Sequence, residues 1–388
     1  MDTLAPSSSG RFLAYGGEPM PLSEYWVQAG AMVDSNILRR TEGSPTETVG
    51  RVGVGGRKDT YIYGRQMLRL EGRLDGYLYN RFDDLSNVGY GASGEWHWAL
   101  GGDLSGVLGI SRRRYQRDLA QLQRATRDMI TETRYLANAA YAIGPSLRVR
   151  GALDRVDFDT SASDLELRTT GGLLGVDYVT PLGNYVGLEY RRANGDAPIS
   201  ERIDPLGVFV DNSFEEQTVA LRTGYIGAFL RLTGDIGRTR RTYSDLPGRD
   251  FEGTTWRVRA DWLVTAKTVL GFETYRRPAS IIDIATSHVV ARGVAFGPGW
   301  APTAKLNFSA RIMRERQEFS GDPGTALAPD VFPLRLEIIR NVRLGAYWEY
   351  TRQIHWQFAI DHGSRESNVL DRDFDYNAFI ANVRYLFW

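Results

Sequence analysis

The chain has 388 residues, 47 of them basic and 47 acidic, 42% hydrophobic residues and no cysteine. Zero formal charge leaves no global field to draw in a polyanion, so nucleic acid is not an expected partner, and the missing thiols exclude disulfides, thiolate metal sites and cysteine nucleophiles. The longest apolar run, "LANAAYAI" at 136–143, falls far short of the ~18 residues of a spanning helix, so any crossing of a membrane must use strands.

Residues 1–22 begin "MDTLAPSSSGRF" and lack the basic and apolar regions of a signal peptide. They are expected to be a periplasmic segment from which a signal has been removed, ahead of a single unit over 23–388. The first clear pattern follows at 67–79, "MLRLEGRLDGYLY", where Leu68, Leu70, Leu74 and Leu78 alternate with Arg69, Glu71, Arg73 and Asp75. A period of two is the signature of a strand with one apolar and one polar face. The stretch at 89–100 repeats it, with Trp96 and Trp98 against Ser93, Glu95 and His97. Further on, Val149 and Leu153 oppose Arg148, Arg150 and Asp154, then Val258 and Trp262 oppose Arg257, Arg259 and Asp261. Near the end, Phe308 and Ile312 oppose Asn307 and Arg311, and Trp356 and Phe358 oppose His355 and Gln357. The segment at 117–132, "RDLAQLQRATRDMITE", is the one helical candidate and is expected to be a loop insert.

Turn-forming residues mark eight short connections, the clearest at 100–103, 143–146, 180–184, 226–228, 264–268, 300–305 and 350–353, with another near 57–65. Nine longer polar segments alternate with them, near 34–47, 80–86, 113–131, 157–164, 191–213, 240–251, 277–286, 317–333 and 363–374. That alternation predicts an all-β fold, a closed antiparallel transmembrane barrel of about 18 strands with both termini on the side of the short turns. Its place is the bacterial outer membrane, long loops extracellular and short turns periplasmic. A soluble sandwich is disfavoured because its strands are shorter and its loops have no reason to alternate in length.

In such a barrel Leu68, Leu70, Leu74, Val258, Phe308 and Phe358 face lipid, and the charged partners face a wet lumen. The candidate pore-lining residues are therefore Arg69, Glu71, Arg73, Asp75, Glu95, Arg148, Arg150, Arg257, Arg259 and Asp261. Only Lys58, Lys267 and Lys305 among the basic residues are lysine, and the rest are arginine, whose planar guanidinium pairs bidentately with carboxylates in a confined space. Trp96, Trp98, Trp256, Trp262, Trp348 and Trp356 are expected in interfacial girdles.

No reaction or metal chemistry is expected. The four histidines are too dispersed for a metal cluster. "DHGS" at 361–364 cannot converge as a triad from one strand end. "RVGVGGR" at 51–57 lacks the helix and lysine of a phosphate loop, and Asp371, Asp373 and Asp375 lack the glycine and distal glutamate of a calcium loop. No cofactor is implied.

The stretches "TPLGNYVGLEYRRANG" (180–195), "DNSFEEQTVALRTGY" (211–225), "RDFEGTTWRVRADWLVTAKT" (249–268) and "FGPGWAPTAKLNFSARIMRERQEF" (296–319) resemble the EpsL-like family of outer-membrane barrels associated with exopolysaccharide biosynthesis operons. The resemblance runs from about residue 23 to the end through strand and turn patterns. It implies export of an exopolysaccharide through the lumen, handed over by a periplasmic polysaccharide-export protein, with outer-membrane lipid and lipopolysaccharide around the barrel. The last strand, "FIANVRYLFW", resembles the terminal segment read by the barrel-insertion machinery. A general or substrate-selective diffusion porin, or a non-conducting structural or adhesive barrel, remains open as an alternative.

Overall fold

A computed structural model describes residues 23–162, 166–196, 201–202, 209–210, 213–244, 250–279, 288–320 and 335–387. The N-terminal segment 1–22 lies outside them. Strands run as β1 (Ser23–Asp34), β2 (Glu47–Tyr63), β3 (Gln66–Tyr79), β4 (Asn87–Leu100), β5 (Leu104–Gln116), β6 (Met129–Ile143), β7 (Leu147–Thr160), β8 (Glu166–Val179) and β9 (Tyr185–Asp196). A two-residue ribbon, β10 (Glu201–Arg202) with β11 (Phe209–Val210), lies in the next connection. The second half holds β12 (Phe214–Ile226), β13 (Leu230–Tyr243), β14 (Phe251–Thr265), β15 (Thr268–Ala279) and β16 (His288–Trp300). It ends with β17 (Leu306–Ser320), β18 (Leu336–Glu349), β19 (Ile354–Ser367) and β20 (Phe374–Phe387).

Apart from the ribbon, every strand pairs antiparallel with its sequence neighbours in one 18-stranded sheet, and β1 pairs with both β2 and β20. The register Tyr25↔Phe387 to Asp34↔Ala378 closes the sheet into a barrel and leaves no free edge. Eight short turns occupy one rim and nine longer connections the other, as the spacing of turn residues predicts. Both described chain ends lie on the short-turn, periplasmic rim. Four of the short turns place Gly64, Gly101, Gly144 and Gly183 at positive φ, a conformation that costs glycine nothing. Among the described residues no helix is long and apolar enough to cross a membrane; the crossing is made by strands. The "RVGVGGR" stretch is plain β2.

The register fixes the two faces. Arg69 pairs across from Glu95 and Asp59, so the odd positions of β3 face inward and Leu68, Leu70, Leu74 and Leu78 face lipid. Carried around the barrel, the same parity puts Leu147, Val149 and Leu153 outward on β7, Leu230, Leu232 and Ile236 on β13, and Phe308 and Ile312 on β17. Leu70, Leu153 and Ile236 are each half-exposed or more, as lipid-facing side chains must be. Trp96, Trp98, Trp262, Trp348 and Trp356, joined by Trp300, lie outward toward the periplasmic rim. Trp256 departs from that girdle, standing five residues from the extracellular end of β14.

Inside, aromatic rings lie over glycines of the neighbouring strand. A Cβ on Gly293 would come within 2.3 Å of the Tyr275 ring, and one on Gly363 within 2.3 Å of Tyr376, each ring being its direct cross-strand partner. Glycine there is a packing requirement, since any side chain would displace the ring.

With the parity set, an added charge separates the faces. Leu70→Arg should cost ~2–4 kcal/mol in unfolding from bilayers, while Ser93→Arg, on the inward face of β4, should cost under about 1 kcal/mol. Equal costs would mean the parity is wrong.

Candidate functional site

The extracellular mouth is narrowed from within. Inward residues Met32, Val49, Tyr79, Ala359, Ala378 and Ile380 belong to β1, β2, β3, β19 and β20, and all are buried. They are covered by Ile37 and Leu38 of the connection after β1, Leu85 of the connection after β3, and Leu119 of the short helix α1 (Leu119–Leu122) after β5. Those three connections fold into the bore and build a small hydrophobic core against one wall. The 117–132 segment is thus an inserted loop with a four-residue helix, its last residues from Met129 already in β6.

Buried charges hold these loops. The Glu47 carboxylate, fully buried, accepts backbone N–H bonds from Thr48, Asn80, Arg81 and Phe82 at 2.8–3.1 Å, tying the end of β3 to β2. Asp34 takes both Arg39 guanidinium nitrogens at 2.7 Å, and that guanidinium stacks 3.5 Å above the Tyr376 ring. The neck of the third loop is closed by Arg117 Nη1 to Asp128 Oδ2 at 3.2 Å, both side chains almost fully buried. Its tip reaches across the mouth. Gln123, in the left-handed conformation, donates to the Arg39 and Asp371 carbonyls and accepts from Arg40 Nε, while Arg365 Nη1 donates to the Ala120 carbonyl. Asp371, Asp373 and Asp375 serve this loop architecture, with Asp373 Oδ1 accepting the Ser367 N–H at 2.6 Å. No metal-binding group of side chains occurs among the described residues.

Below the mouth, all ten candidate lining residues face inward, but they separate into groups. Asp75 is buried, held by Gln28 Nε2 at 2.7 Å and Arg51 Nη2 at 2.8 Å; it braces the wall and is not open to a solute. Arg69 bridges Asp59 at 3.1 Å and Glu95 at 3.5 Å. Glu71 lies directly across from Arg57, and Arg73 lies flat over Gly91. Arg148 and Arg150 converge on Asp177 at 2.8 Å, and Arg150 continues to Glu189 at 3.1 Å, where Arg222 also arrives at 3.6 Å. On the far wall Arg257 holds Glu273 at 2.9 Å, Arg259 holds Asp261 at 3.4 Å, and Arg311 reaches the same Glu273 at 3.5 Å.

This last group is the most open. The Arg257, Arg259 and Arg311 side chains are 57%, 51% and 51% exposed, against 13% and 24% for Glu273 and Asp261. Three guanidiniums thus meet the water of the bore while the two carboxylates they bridge stay against the wall, and the exposed Asp235 of β13 faces Arg257 from the next strand. Arg343 stands directly across from Arg311 and extends the basic arc toward β19.

The acceptors Asp59, Asp177, Glu189 and Glu273, with Arg51, Arg222 and Arg311, complete these clusters although the ten candidates leave them out. The same alternation marks several of them: "GFETYRR" puts Glu273 on one face with Tyr275, and "GLEYRR" puts Glu189 with Arg191. Which carboxylate meets which arginine depends on the register, which no single strand reveals.

No protein-family model matches the sequence, and no curated protein matches it. Among solved structures the chain is similar to the outer membrane protein OpdK of Pseudomonas aeruginosa, at TM-score 0.51 and 10% identity over 94% of this chain and 99% of that one. OccK2 (OpdF) of the same organism, solved in complex with glucuronate, gives 0.52 and 11% over 94% and 98%. OccK9 (OpdG) gives 0.51 and 10% over 94% and 98%. These likenesses show the fold of an outer-membrane β-barrel, and the chain is an integral outer-membrane barrel. They also correct the expectation of exopolysaccharide export, which the neighbouring barrels, one of them solved with the small acid glucuronate, do not support. The inward-folded loops, which narrow the mouth on one side, point the same way.

If the buried Arg117–Asp128 pair holds the third loop, Asp128→Ala should release it, since breaking such a pair costs about 3–5 kcal/mol. Single-channel recording should then show higher conductance with added open-channel noise, and an unchanged trace would detach the loop from the aperture.

Proposed function

We propose that this protein is a passive diffusion porin for small hydrophilic solutes, with a lumen that favours anions. The observation that carries the reading is the open arc of Arg257, Arg259 and Arg311, whose guanidiniums are more exposed than the carboxylates they pair with. Partly solvated ion pairs are individually worth only ~0–1 kcal/mol. A passing carboxylate can therefore displace Glu273 or Asp261 from its arginine at little cost and be displaced in turn. Weak, repeated exchange of this kind lets a solute enter and leave, whereas tight binding would stall it. The glucuronate complex of OccK2 (OpdF) supports small acidic solutes as the class to test.

In the described residues the stretches that resemble EpsL-like barrels consist almost wholly of strands and periplasmic turns, which a porin shares. The neighbouring porins are not enzymes. The outward row of Phe379, Val383, Tyr385 and Phe387 on β20 supports its reading as the segment met by the insertion machinery.

Reversing the arc tests the proposal. Arg257→Glu with Arg259→Glu should leave heat-modifiable folding intact, because neither side chain is buried. In planar bilayers the reversal potential under a KCl gradient should move from anion- toward cation-preferring, and uptake of a small carboxylate into liposomes should fall about tenfold, as expected for the loss of roughly 1.4 kcal/mol of favourable interaction. Unchanged selectivity would remove the arc from the conducting path. A silent bilayer with correctly folded wild-type protein would favour a non-conducting barrel.

A further inference from the structure

The outer surface repeats one arrangement on many strands: apolar residues from the periplasmic rim upward, then an abrupt change to charge. On β7 Leu153 gives way to Arg155 and Asp157, on β13 Ile236 to Arg238 and Arg240, and on β17 Ile312 to Arg314, Arg316 and Glu318. Part of this outer charge is neutralised locally. Arg155 and Arg168 share Asp157 at 2.9 and 3.3 Å, Arg192 meets Glu215 at 2.9 Å, and Arg238 meets Glu252 at 2.7 Å.

In one patch arginine stands directly against arginine. Across β16–β18, Arg292 lies directly opposite Arg316, and Arg314 lies directly opposite Arg340. Like charges in direct cross-strand opposition repel, and two such pairs are set side by side. Only two carboxylates attend the four guanidiniums: Glu318, 3.0 Å from Arg316, and Glu366, paired with Arg340. Among the described residues Arg292 and Arg314 have no carboxylate within ion-pair distance, and Arg292 leans toward the Trp256 ring, 5.9 Å from its centre. All four arginines are exposed. Immediately below them Val294, Phe296, Ile312, Val342 and Leu344 face outward, 38–52% exposed.

We propose that this patch binds the phosphates of an outer-leaflet glycolipid, lipopolysaccharide in chemical class. Arg292 and Arg314 supply the uncompensated charge, Arg316 and Arg340 flank it, and the apolar row beneath takes the acyl chains. Guanidinium matches phosphate geometry bidentately and is weakly hydrated. The height is right, since lipid phosphate lies where the apolar band ends. Such an anion would relieve the repulsion built into the two opposed pairs.

The test compares the full-length wild type with the double variant R292Q/R314Q, and with R238Q as a control at a neutralised pair. Native mass spectrometry after mild detergent extraction should find glycolipid retained on wild type and R238Q and lost from the double variant. Titration of delipidated wild type should bind bisphosphorylated glycolipid about 30-fold more tightly than the double variant does, from the surface contribution of two guanidiniums. Dephosphorylated glycolipid should bind wild type and variant alike and weakly. Equal retention by the double variant, or wild-type protein binding the dephosphorylated lipid as tightly as the bisphosphorylated one, would overturn the proposal. So would displacement of the lipid by millimolar inorganic phosphate, which would make the patch a free-anion site. Because these side chains face away from the lumen, conductance should be unchanged in the double variant, so the outcome is independent of the porin reading.

Discussion

A backbone N–H or C=O in hydrocarbon has no water to bond with, so each must find a partner in the protein. For a chain whose apolar residues recur every second position, the solution is a sheet with no edge. The pairing of β1 with β20 is the contact that closes it. Once the sheet is closed, inside and outside differ in solvent, and the period of two assigns every strand residue to one or the other. The charged ladders, the aromatic rim and the wet bore are consequences of that closure.

Much of the fold was legible for this reason. Alternation in "MLRLEGRLDGYLY" and "TWRVRADWLV" told the faces apart, and the unequal connections counted the strands. The inward direction of the ten lining candidates followed from the same rule. Their roles did not. Asp75 and Arg257 are equivalent by parity, yet one is sealed beneath Arg51 and Gln28 and the other is open. Exposure inside a bore depends on which loop covers which wall, a tertiary matter that strand periodicity does not encode. The loop at 117–132 was visible as an insert, but its inward course rests on Leu119 joining one buried cluster with residues from β1, β2, β3, β19 and β20, which no local pattern brings together. The export reading failed because strand and turn patterns describe a scaffold, and scaffolds are shared across functions.

Arginine plays two roles on the two surfaces. Within the bore it is paired and partly solvated, so its charge is available for exchange. On the outer face about half of the arginines are tied to carboxylates at the upper edge of the apolar band, and the Arg292–Arg340 patch stands out by setting arginine against arginine across neighbouring strands. The near-absence of lysine fits both settings, since a fork of donors can hold a carboxylate and still present a free edge.

The hydrophobic core in the mouth has a kinetic meaning. Bringing β1 to β20 joins residues over 340 positions apart, as in the Asn377 N–H to Ser35 Oγ bond, and a loop that long costs about 5 kcal/mol in closure entropy by the logarithmic law. The core of Ile37, Leu38, Leu85 and Leu119 lies against the strands that flank this seam and is hydrogen-bonded to the connection before β20 through Gln123 and Asp371. It is therefore a clasp as well as a constriction. The first and last strands are drawn together by the same apolar cluster that narrows the entrance, so the entrance cannot take its final shape before the cylinder has zipped shut.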